Sequence, residues 1–270
     1  MTSRELVYHS SEEEAQPKPF IIGVTNDIHG AGSTTTAKLL TRLLGFGYED
    51  PGNTTRQMAV DQGYATDLED DEGLLRFEQE VVSKNPNIDI ELDTAVISKA
   101  IAGNYVIEGT AAVILAKAGL IPDEKGPLSS VEPQFPIFTV LLTCNPRVAA
   151  QRVLLRKELR RRNIDPSTVS PETRQVIING LNEEQVNSQM NTSRQRKETT
   201  RQNWDRLYRL SDLEKGEGAF DLPKIDTTNL TPEQVVDLIL TQLQKGSYLS
   251  QKQLKEAQMT LHRLIHHYRP

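Results

Sequence analysis

The stretch FIIGVTNDIHGAGSTTTAKLLTRLL, residues 20–44, contains an apolar run, a glycine-bearing turn and a helical pattern, in that order. The apolar run at residues 20–25 predicts a buried strand, and the spacing of apolar side chains in residues 34–44 predicts a helix. Glycines allow backbone N–H groups to converge on phosphate oxygens, and a helix N-terminus favours anions. The stretch therefore predicts a phosphate-binding loop.

This loop departs from the GxxxxGK[ST] pattern of phosphate-binding loops at two positions. Gly30, Gly32 and Thr34 stand at later positions of the pattern, but Asp27 replaces the first glycine and Ser33 replaces the lysine. A carboxylate at Asp27 would oppose phosphate binding unless it turns outward or binds a metal ion. The letters of the loop alone also fit a plain strand-to-helix turn that contains two glycines.

Strand and helix patterns alternate along the rest of the chain. Further strands are predicted at residues 104–109, 136–143 and 222–228. Helices are predicted at residues 88–102, 111–118, 148–162 and 232–244, the last with Thr231 as its N-cap and Pro232 in its first turn. Such alternation specifies a parallel sheet with helices on both faces, so the predicted fold class is α/β.

The pattern also divides the chain into segments. Residues 1–18 are polar and predict a flexible arm, residues 19–246 a single domain, and residues 247–270 a C-terminal amphipathic helix. One face of that helix carries Leu254, Ala257, Leu261, Ile265 and Tyr268. We expect this face to pack on the parent domain or on a second copy of the chain, which would give a homodimer.

Composition excludes several classes of protein. The chain of 270 residues has 31 Lys and Arg against 37 Asp and Glu, a net charge of −6, which argues against a general nucleic-acid coat. The single cysteine, Cys144, excludes an intramolecular disulfide. No apolar run approaches the roughly 20 residues of a membrane helix, and the N-terminal residues lack the apolar core of a signal peptide. We expect a soluble, cytoplasmic protein without nucleic-acid or membrane partners.

Positive charge is concentrated in one region. Residues 147–215 contain 15 Lys and Arg against 9 Asp and Glu, whereas the remainder of the chain is strongly acidic. A basic segment in an acidic protein suggests a small anionic ligand such as nucleotide phosphates. A solvated helical face that carries many arginines is the alternative interpretation.

Six further segments follow the loop in a fixed order. They are GFGYEDPGNTTRQMAVDQG (45–63), NPNIDIELD (85–93), VIEGT (106–110), LLTCNPRVAAQR (141–152), SRQRKETTRQNWDRLY (193–208) and DLPKIDTTNLTPEQVVDLIL (221–240). With the loop, this ordered set resembles the archaeal-type cytidylate kinases, whose own loop carries Thr in place of the usual Lys. The resemblance covers residues 20–245, apart from inserts near residues 122–134 and 164–190.

The resemblance implies a three-layer P-loop kinase fold with about five parallel strands in the order 2-3-1-4-5 and a helical lid at about residues 160–210. It implies phosphoryl transfer from ATP to CMP, dCMP or a similar acceptor, with Mg²⁺. The ATP phosphates would lie on Gly30, Ala31, Gly32, Ser33, Thr34 and Thr35. The metal ligands would be Thr34, or failing that Thr35, together with Glu108. The acceptor would contact Gly52, Arg56 and Arg152, and the catalytic lid arginines would be Arg194, Arg196 and Arg201.

Each of these residues also has an ordinary structural interpretation. Glu108 could be a strand-end charge, Arg56 a surface arginine, and Arg152 a member of an intrahelical ion pair. Lone lid arginines usually face solvent, and we take His29 as a loop residue, because phosphoryl transfer to a phosphate needs little base catalysis.

The chain departs from the family most clearly on the acceptor side. Thr110 replaces the arginine of the family's EGR sequence, and the lid has Thr199 and Asn203 where an acid and a further arginine are expected. This leaves two other functions open. One is a kinase for a small non-nucleotide acceptor, and the other is a nucleotide-binding scaffold without turnover.

Overall fold

Five strands form one parallel sheet in the computed structural model of the protein, which describes residues 18–122, 128–130, 135–165, 168–211 and 224–267. The described residues contain seven strands in two sheets, and these are β1 (Ile21–Asn26), β2 (Gly47–Glu49), β3 (Tyr105–Glu108), β4 (Leu120–Pro122), β5 (Leu128–Ser130), β6 (Ile137–Thr143) and β7 (Ile225–Asp226). The sheet order is β2-β3-β1-β6-β7, and β4 and β5 form a separate antiparallel pair. Counted within the sheet, this is the expected order 2-3-1-4-5.

Helices lie on both faces of the sheet, most of them in the connections between strands and the last two after β7. They are α1 (Ser33–Leu44), α2 (Pro51–Asp61), α3 (Asp71–Glu80), α4 (Asn87–Ala100), α5 (Thr110–Lys117), α6 (Pro146–Arg161), α7 (Pro171–Asn179), α8 (Glu183–Tyr208), α9 (Pro232–Lys245) and α10 (Gln251–His267). The predicted three-layer α/β fold is confirmed.

Alternation along the central strand divides the core between the two faces. Ile22 and Val24 of β1 pack with α1 and α9, whereas Ile21 and its neighbour Ile107 pack with α4 and α5. Because helices cover both faces, β1 is buried along nearly its whole length. The central strand thereby holds the loop that follows it at the carboxyl edge of the sheet.

The helix boundaries follow local capping signals. Thr231 caps α9 in a reciprocal capping box with Gln234, and Pro232 occupies the first turn, as predicted. The sequence analysis did not predict strand β2 or the β4–β5 pair, because each of these strands has only three residues. The last predicted strand is shorter than expected, and its first two residues lie outside the described part of the chain.

The C-terminal helix packs on its own domain. Leu254, Ala257 and Leu261 belong to the same buried cluster as Leu40 of α1 and Leu243 of α9. The side chain of Ile265, the residue Tyr268 and nearly all of the predicted arm lie outside the described residues. Within the part of the chain that is described, no helix combines the length and apolar character needed to span a bilayer.

Candidate functional site

The glycine-bearing loop lies between β1 and α1. Gly30 and Gly32 have φ values of 97° and 99°, in the region that favours glycine. A Cβ at Gly30 would lie 2.5 Å from the carbonyl oxygen of Ala149, so the loop is pressed against α6. Gly32 caps α1 without a side-chain hydrogen bond, and the first-turn N–H groups of α1 therefore point out of the helix N-terminus. This is a geometry that favours an anion.

The six predicted ATP-contacting residues differ in their surroundings. The N–H of Ala31 donates to the carbonyl of Ile28 at 3.2 Å, within the turn itself. Ser33 is buried, Thr34 is half-buried and Thr35 is exposed. Of these residues, Ser33 and Thr34 direct their hydroxyls toward the end of the neighbouring strand β3.

Glu108, the last residue of β3, joins the loop to β2. It pairs in register with Val24 of β1, which places its carboxylate beside the loop. The hydroxyls of Ser33 and Thr34 donate to its Oε1 at 2.8 and 2.7 Å, and the Tyr48 hydroxyl donates to its Oε2 at 2.6 Å. Burial and the nearby Asp50 charge raise the pKa of Glu108, and the three hydroxyl donors oppose that rise. The result is a buried acceptor group at the carboxyl edge of the sheet.

The donors around Glu108 are all oxygens. Mg²⁺ prefers oxygen ligands and is usually held by one or two carboxylates together with phosphates and water. Glu108 and the hydroxyl of Thr34 fit this requirement. The structure thus places the two predicted metal ligands within one hydrogen bond of each other.

A second buried carboxylate, Asp71, lies at the start of α3 and is 1% exposed. The basic groups that face it come from four different elements. They are His29 at 3.6 Å, Arg56 at 3.5 Å, Lys157 at 3.5 Å and Arg196 at 3.0 Å, all measured to a carboxylate oxygen. Burial alone would raise the pKa of Asp71, but the basic groups outweigh it and hold the pKa below its usual range.

Arg56 is largely buried, with 15% of its side chain exposed, rather than a freely solvated surface arginine. Its Nη1 donates to the carbonyl of Leu68 at 2.7 Å, and its Nη2 lies 3.4 Å from Nε2 of His29. Burial lowers the pKa of His29 well below its usual value, although the Asp71 carboxylate opposes this. The loop histidine thus contacts the residue that we expected to bind the acceptor.

The three predicted lid arginines have separate environments. Arg196 is half-buried and lies between Asp71 and Glu78 of α3, at 3.0 and 3.3 Å. Arg194 is exposed, and Arg201 donates to the hydroxyl of Ser211. Only Arg196 among the three reaches the centre that also contains Arg56.

The remaining predicted acceptor residues lie elsewhere. Arg152 donates to the carbonyl of Thr227 at 2.7 Å and to its hydroxyl at 3.2 Å, in the turn after β7. The same Thr227 hydroxyl donates to the carbonyl of Ala31. Arg152 therefore supports the glycine-bearing loop through Thr227, while Gly52 is exposed in the first turn of α2.

Sequence reasoning did not identify Asp71 or its partners Lys157 and Gln189. The Gln189 side chain donates to Asp71 at 3.0 Å, although the two are 118 residues apart. Sequence reasoning also missed Lys197, whose Nζ donates to the main-chain carbonyl of Asp27. A charged residue at a helix start is common, so no local pattern distinguishes Asp71 from an exposed acid.

The sheet order, the glycine-bearing loop after β1 and the helices on both faces together define an α/β protein built on a five-stranded parallel sheet. No protein-family model matches the chain. The chain is similar to cytidylate kinases of Pyrobaculum arsenaticum (32% identical over 47% of this chain and 55% of the relative), Methanopyrus kandleri (35% over 36% and 46%) and Methanococcus aeolicus (32% over 40% and 51%). The resemblance drawn from the sequence is thereby confirmed, and the chain spans about half the length of the curated relatives it matches.

Two solved structures also overlap with the chain. An uncharacterized protein of Eubacterium ventriosum aligns over 83% of this chain and 98% of its own, with a TM-score of 0.40 and 12% identity. A candidate kinase of Chloroflexus aurantiacus aligns over 83% and 97%, with a TM-score of 0.38 and 14% identity.

Proposed function

We propose that the protein transfers the γ-phosphoryl group of ATP to a nucleoside monophosphate, with CMP and dCMP as the first candidates. The observation that carries this proposal is the Glu108 carboxylate at the end of β3, which accepts hydrogen bonds from both Ser33 and Thr34 of the loop. Phosphoryl transfer depends mainly on holding two anions close together and stabilising spread negative charge. The similarity to cytidylate kinases supports the same reaction class and suggests the acceptor.

On the donor side, the N–H groups at the start of α1 would bind the ATP phosphates. Thr34 and Glu108 would hold Mg²⁺, which supplies charge neutralisation at the phosphates when bound. Ser33 would keep the loop in register, because its hydroxyl accepts from Asn26 at 2.7 Å while donating to Glu108.

On the acceptor side, Arg56 and Arg196 would bind the acceptor phosphate. A guanidinium offers a planar pair of donors that matches phosphate oxygens. Both side chains are already oriented by Asp71, which a phosphate would replace as their counter-ion. We propose that residues 160–210 serve as the lid that brings Arg196 to this position.

A coupled assay of ADP release with Mg²⁺ and CMP, dCMP, UMP, AMP or GMP tests the proposal. We expect turnover to be fastest with CMP or dCMP. Glu108→Gln, which keeps the size of the side chain and removes its charge, should lower kcat by at least about 100-fold.

Glu49→Gln is the matched control, because Glu49 is also the last residue of a strand, β2, but forms an ion pair with Lys99 at 2.9 Å. It should retain the activity of the wild type. Equal turnover by Glu108→Gln and the wild type would contradict the role given to Glu108, and no ADP release with any monophosphate would contradict the proposed function.

A nucleotide-binding protein without turnover is the second candidate. It is favoured by the Asp71 carboxylate, which already neutralises the cations that an acceptor phosphate would need, and by the uncharged Thr110. ATP binding without ADP release, with any of the five monophosphates, would support this candidate. A small non-nucleotide acceptor would instead give turnover only when that acceptor is supplied.

A further inference from the structure

The phosphate loop itself contains no cation that could reach the end of a triphosphate. Residues 26–36 include neither Lys nor Arg, and Ser33 stands where such loops carry lysine. The Ser33 hydroxyl is 5% exposed and is used by Asn26 and Glu108. An ammonium that reaches the β- and γ-phosphates must therefore come from another element.

Helix α8 brings a lysine to this loop. The Nζ of Lys197 donates to the main-chain carbonyl of Asp27, the residue that directly follows β1. The contact joins residues 170 positions apart in the chain. It places an ammonium group on the loop at the position where the motif normally begins with glycine.

The neighbouring residues fix α8 in this position. Arg196, adjacent to Lys197, is held by two carboxylates of α3, and Gln189 of the same helix bonds to both Asp71 and Lys157. Consecutive residues of a helix point about 100° apart, so Arg196 faces α3 while Lys197 reaches the loop. The packing of α8 thus delivers Lys197 to the loop.

The local charges also favour an ammonium at this point. The Asp27 carboxyl is half-buried, and the positive charges of Lys197 and Lys224 stabilise its ionised form. Burial raises the pKa of Asp27, and these two lysines oppose the rise. Lys197 therefore offsets the negative charge that Asp27 would otherwise present to phosphate.

We infer that Lys197 supplies, from α8, the ammonium that binds the β- and γ-phosphates of ATP in place of the missing loop lysine. An ammonium has three donors, so Nζ can donate to phosphate oxygens as well as to protein acceptors such as the Asp27 carbonyl. Several other cations near the loop have different partners: Arg56, Lys157 and Arg196 face Asp71, Arg152 binds Thr227, and Arg156 faces Glu69 at 3.5 Å. Lys224 shares with Lys197 an effect on the charge of Asp27. This inference rests on the proposed function, because it assumes ATP as the donor.

Calorimetric titration with ATP and with AMP, both with Mg²⁺, tests the inference without requiring turnover. Lys197→Met keeps most of the side-chain length and removes the charge. We expect its Kd for ATP to rise at least about 10-fold, because a charge-assisted hydrogen bond is lost, while its Kd for AMP stays within twofold of the wild type. Lys255→Met is the matched control, since Lys255 is exposed on α10, and it should match the wild type for both ligands.

The melting temperature of each variant shows whether the fold is retained. Lys197→Arg, which keeps a positive charge, should recover part of the lost ATP affinity. Unchanged ATP affinity in Lys197→Met, or an equal loss for ATP and AMP, would overturn the inference. A wild type that turns over while Lys197→Met binds ATP normally would overturn this inference alone. A wild type that binds ATP through Lys197 but never releases ADP would overturn only the proposed reaction, and one that binds no ATP would overturn both.

Discussion

At the scale of single residues, Arg56 and Thr110 determine how an acceptor phosphate could be bound. Arg56 is buried against Leu68, His29 and Asp71, so its guanidinium is held in one orientation. Thr110 instead shares a 2.6 Å hydrogen bond with the hydroxyl of Thr25 and carries no charge. At position 110 the proposed acceptor site therefore lacks a cation that the family pattern implies.

Arg56→Ala should raise the KM for the acceptor steeply and leave the affinity for ATP nearly unchanged, because the two phosphates would bind at separate sites. The acceptor KM of Arg56→Lys should lie between those of the wild type and Arg56→Ala, since lysine keeps the charge but loses the planar pair of donors. Initial rates over a range of CMP concentrations, with a parallel ATP titration, measure both quantities. An equal effect on ATP and CMP would contradict separate sites.

Thr110→Arg restores the cation of the family pattern. It should tighten CMP binding or speed its turnover by about 10-fold, equivalent to about 1.4 kcal/mol. The same steady-state rates measure the effect. If both this variant and Arg56→Ala behave like the wild type, the acceptor site does not lie beside these residues.

At the scale of helices, α3 and α8 are joined by ion pairs rather than by apolar packing alone. Arg196 contacts Asp71 and Glu78, and Thr200 donates to Glu78 at 3.3 Å. Removal of one partner from a buried ion pair leaves the other charges uncompensated. The attachment of α8 therefore depends on the carboxylates of α3.

Asp71→Asn should destabilise the protein by about 3 kcal/mol, because several cations lose their counter-ion. Inorganic phosphate at tens of millimolar should raise the melting temperature of this variant more than that of the wild type, since it can replace the lost carboxylate. Thermal melts with and without phosphate measure both effects. Glu72→Gln, at an exposed acid in the same helical turn, is the control and should respond like the wild type. A phosphate response no larger in Asp71→Asn than in the wild type would show that this centre does not accept phosphate.

The elements also show why the sequence predicted the fold better than the site. Residues 20–44 contain a strand, a glycine turn and a helix in one local pattern, and the structure contains each of them. The centre around Asp71 is different, because its partners come from the loop, α2, α6 and α8. The spacing of apolar residues predicts which face of a helix or strand is buried, but it does not predict which side chains from distant parts of the sequence come together there.

At the scale of the whole molecule, two acids on α4, the half-buried Asp89 and the buried Asp93, make the free energy of unfolding depend on pH. Burial, followed by a nearby negative charge, raises the pKa of Asp89 to about 6 and that of Asp93 to about 8. Between the ordinary value of 3.8 and the folded value, the folded chain keeps a proton that the unfolded chain releases. The contribution of Asp93 to stability therefore falls as pH rises from about 4 to about 8.

Asp93→Asn should remove this dependence, because an amide does not titrate. Relative to the variant, the wild type should lose up to about 1.4 kcal/mol of unfolding free energy per pH unit through that window. Denaturant unfolding at several pH values measures the difference. Glu91→Gln, at an exposed position of the same helix, should keep the pH dependence of the wild type. A constant difference between Asp93→Asn and the wild type at all pH values would show that Asp93 is ionised in the folded protein.

The ion pairs between α3 and α8 would also couple the binding of the two proposed substrates. An acceptor phosphate that takes Arg196 from Asp71 weakens the attachment that holds Lys197 at the loop. ATP that engages Lys197 would in turn fix α8 where Arg196 meets α3. Thermodynamic linkage requires the two influences to be equal in size and sign, so one substrate changes the dissociation constant of the other by the same factor in either order of addition. The ion pairs of α8 would thus determine the cooperativity between ATP and the acceptor.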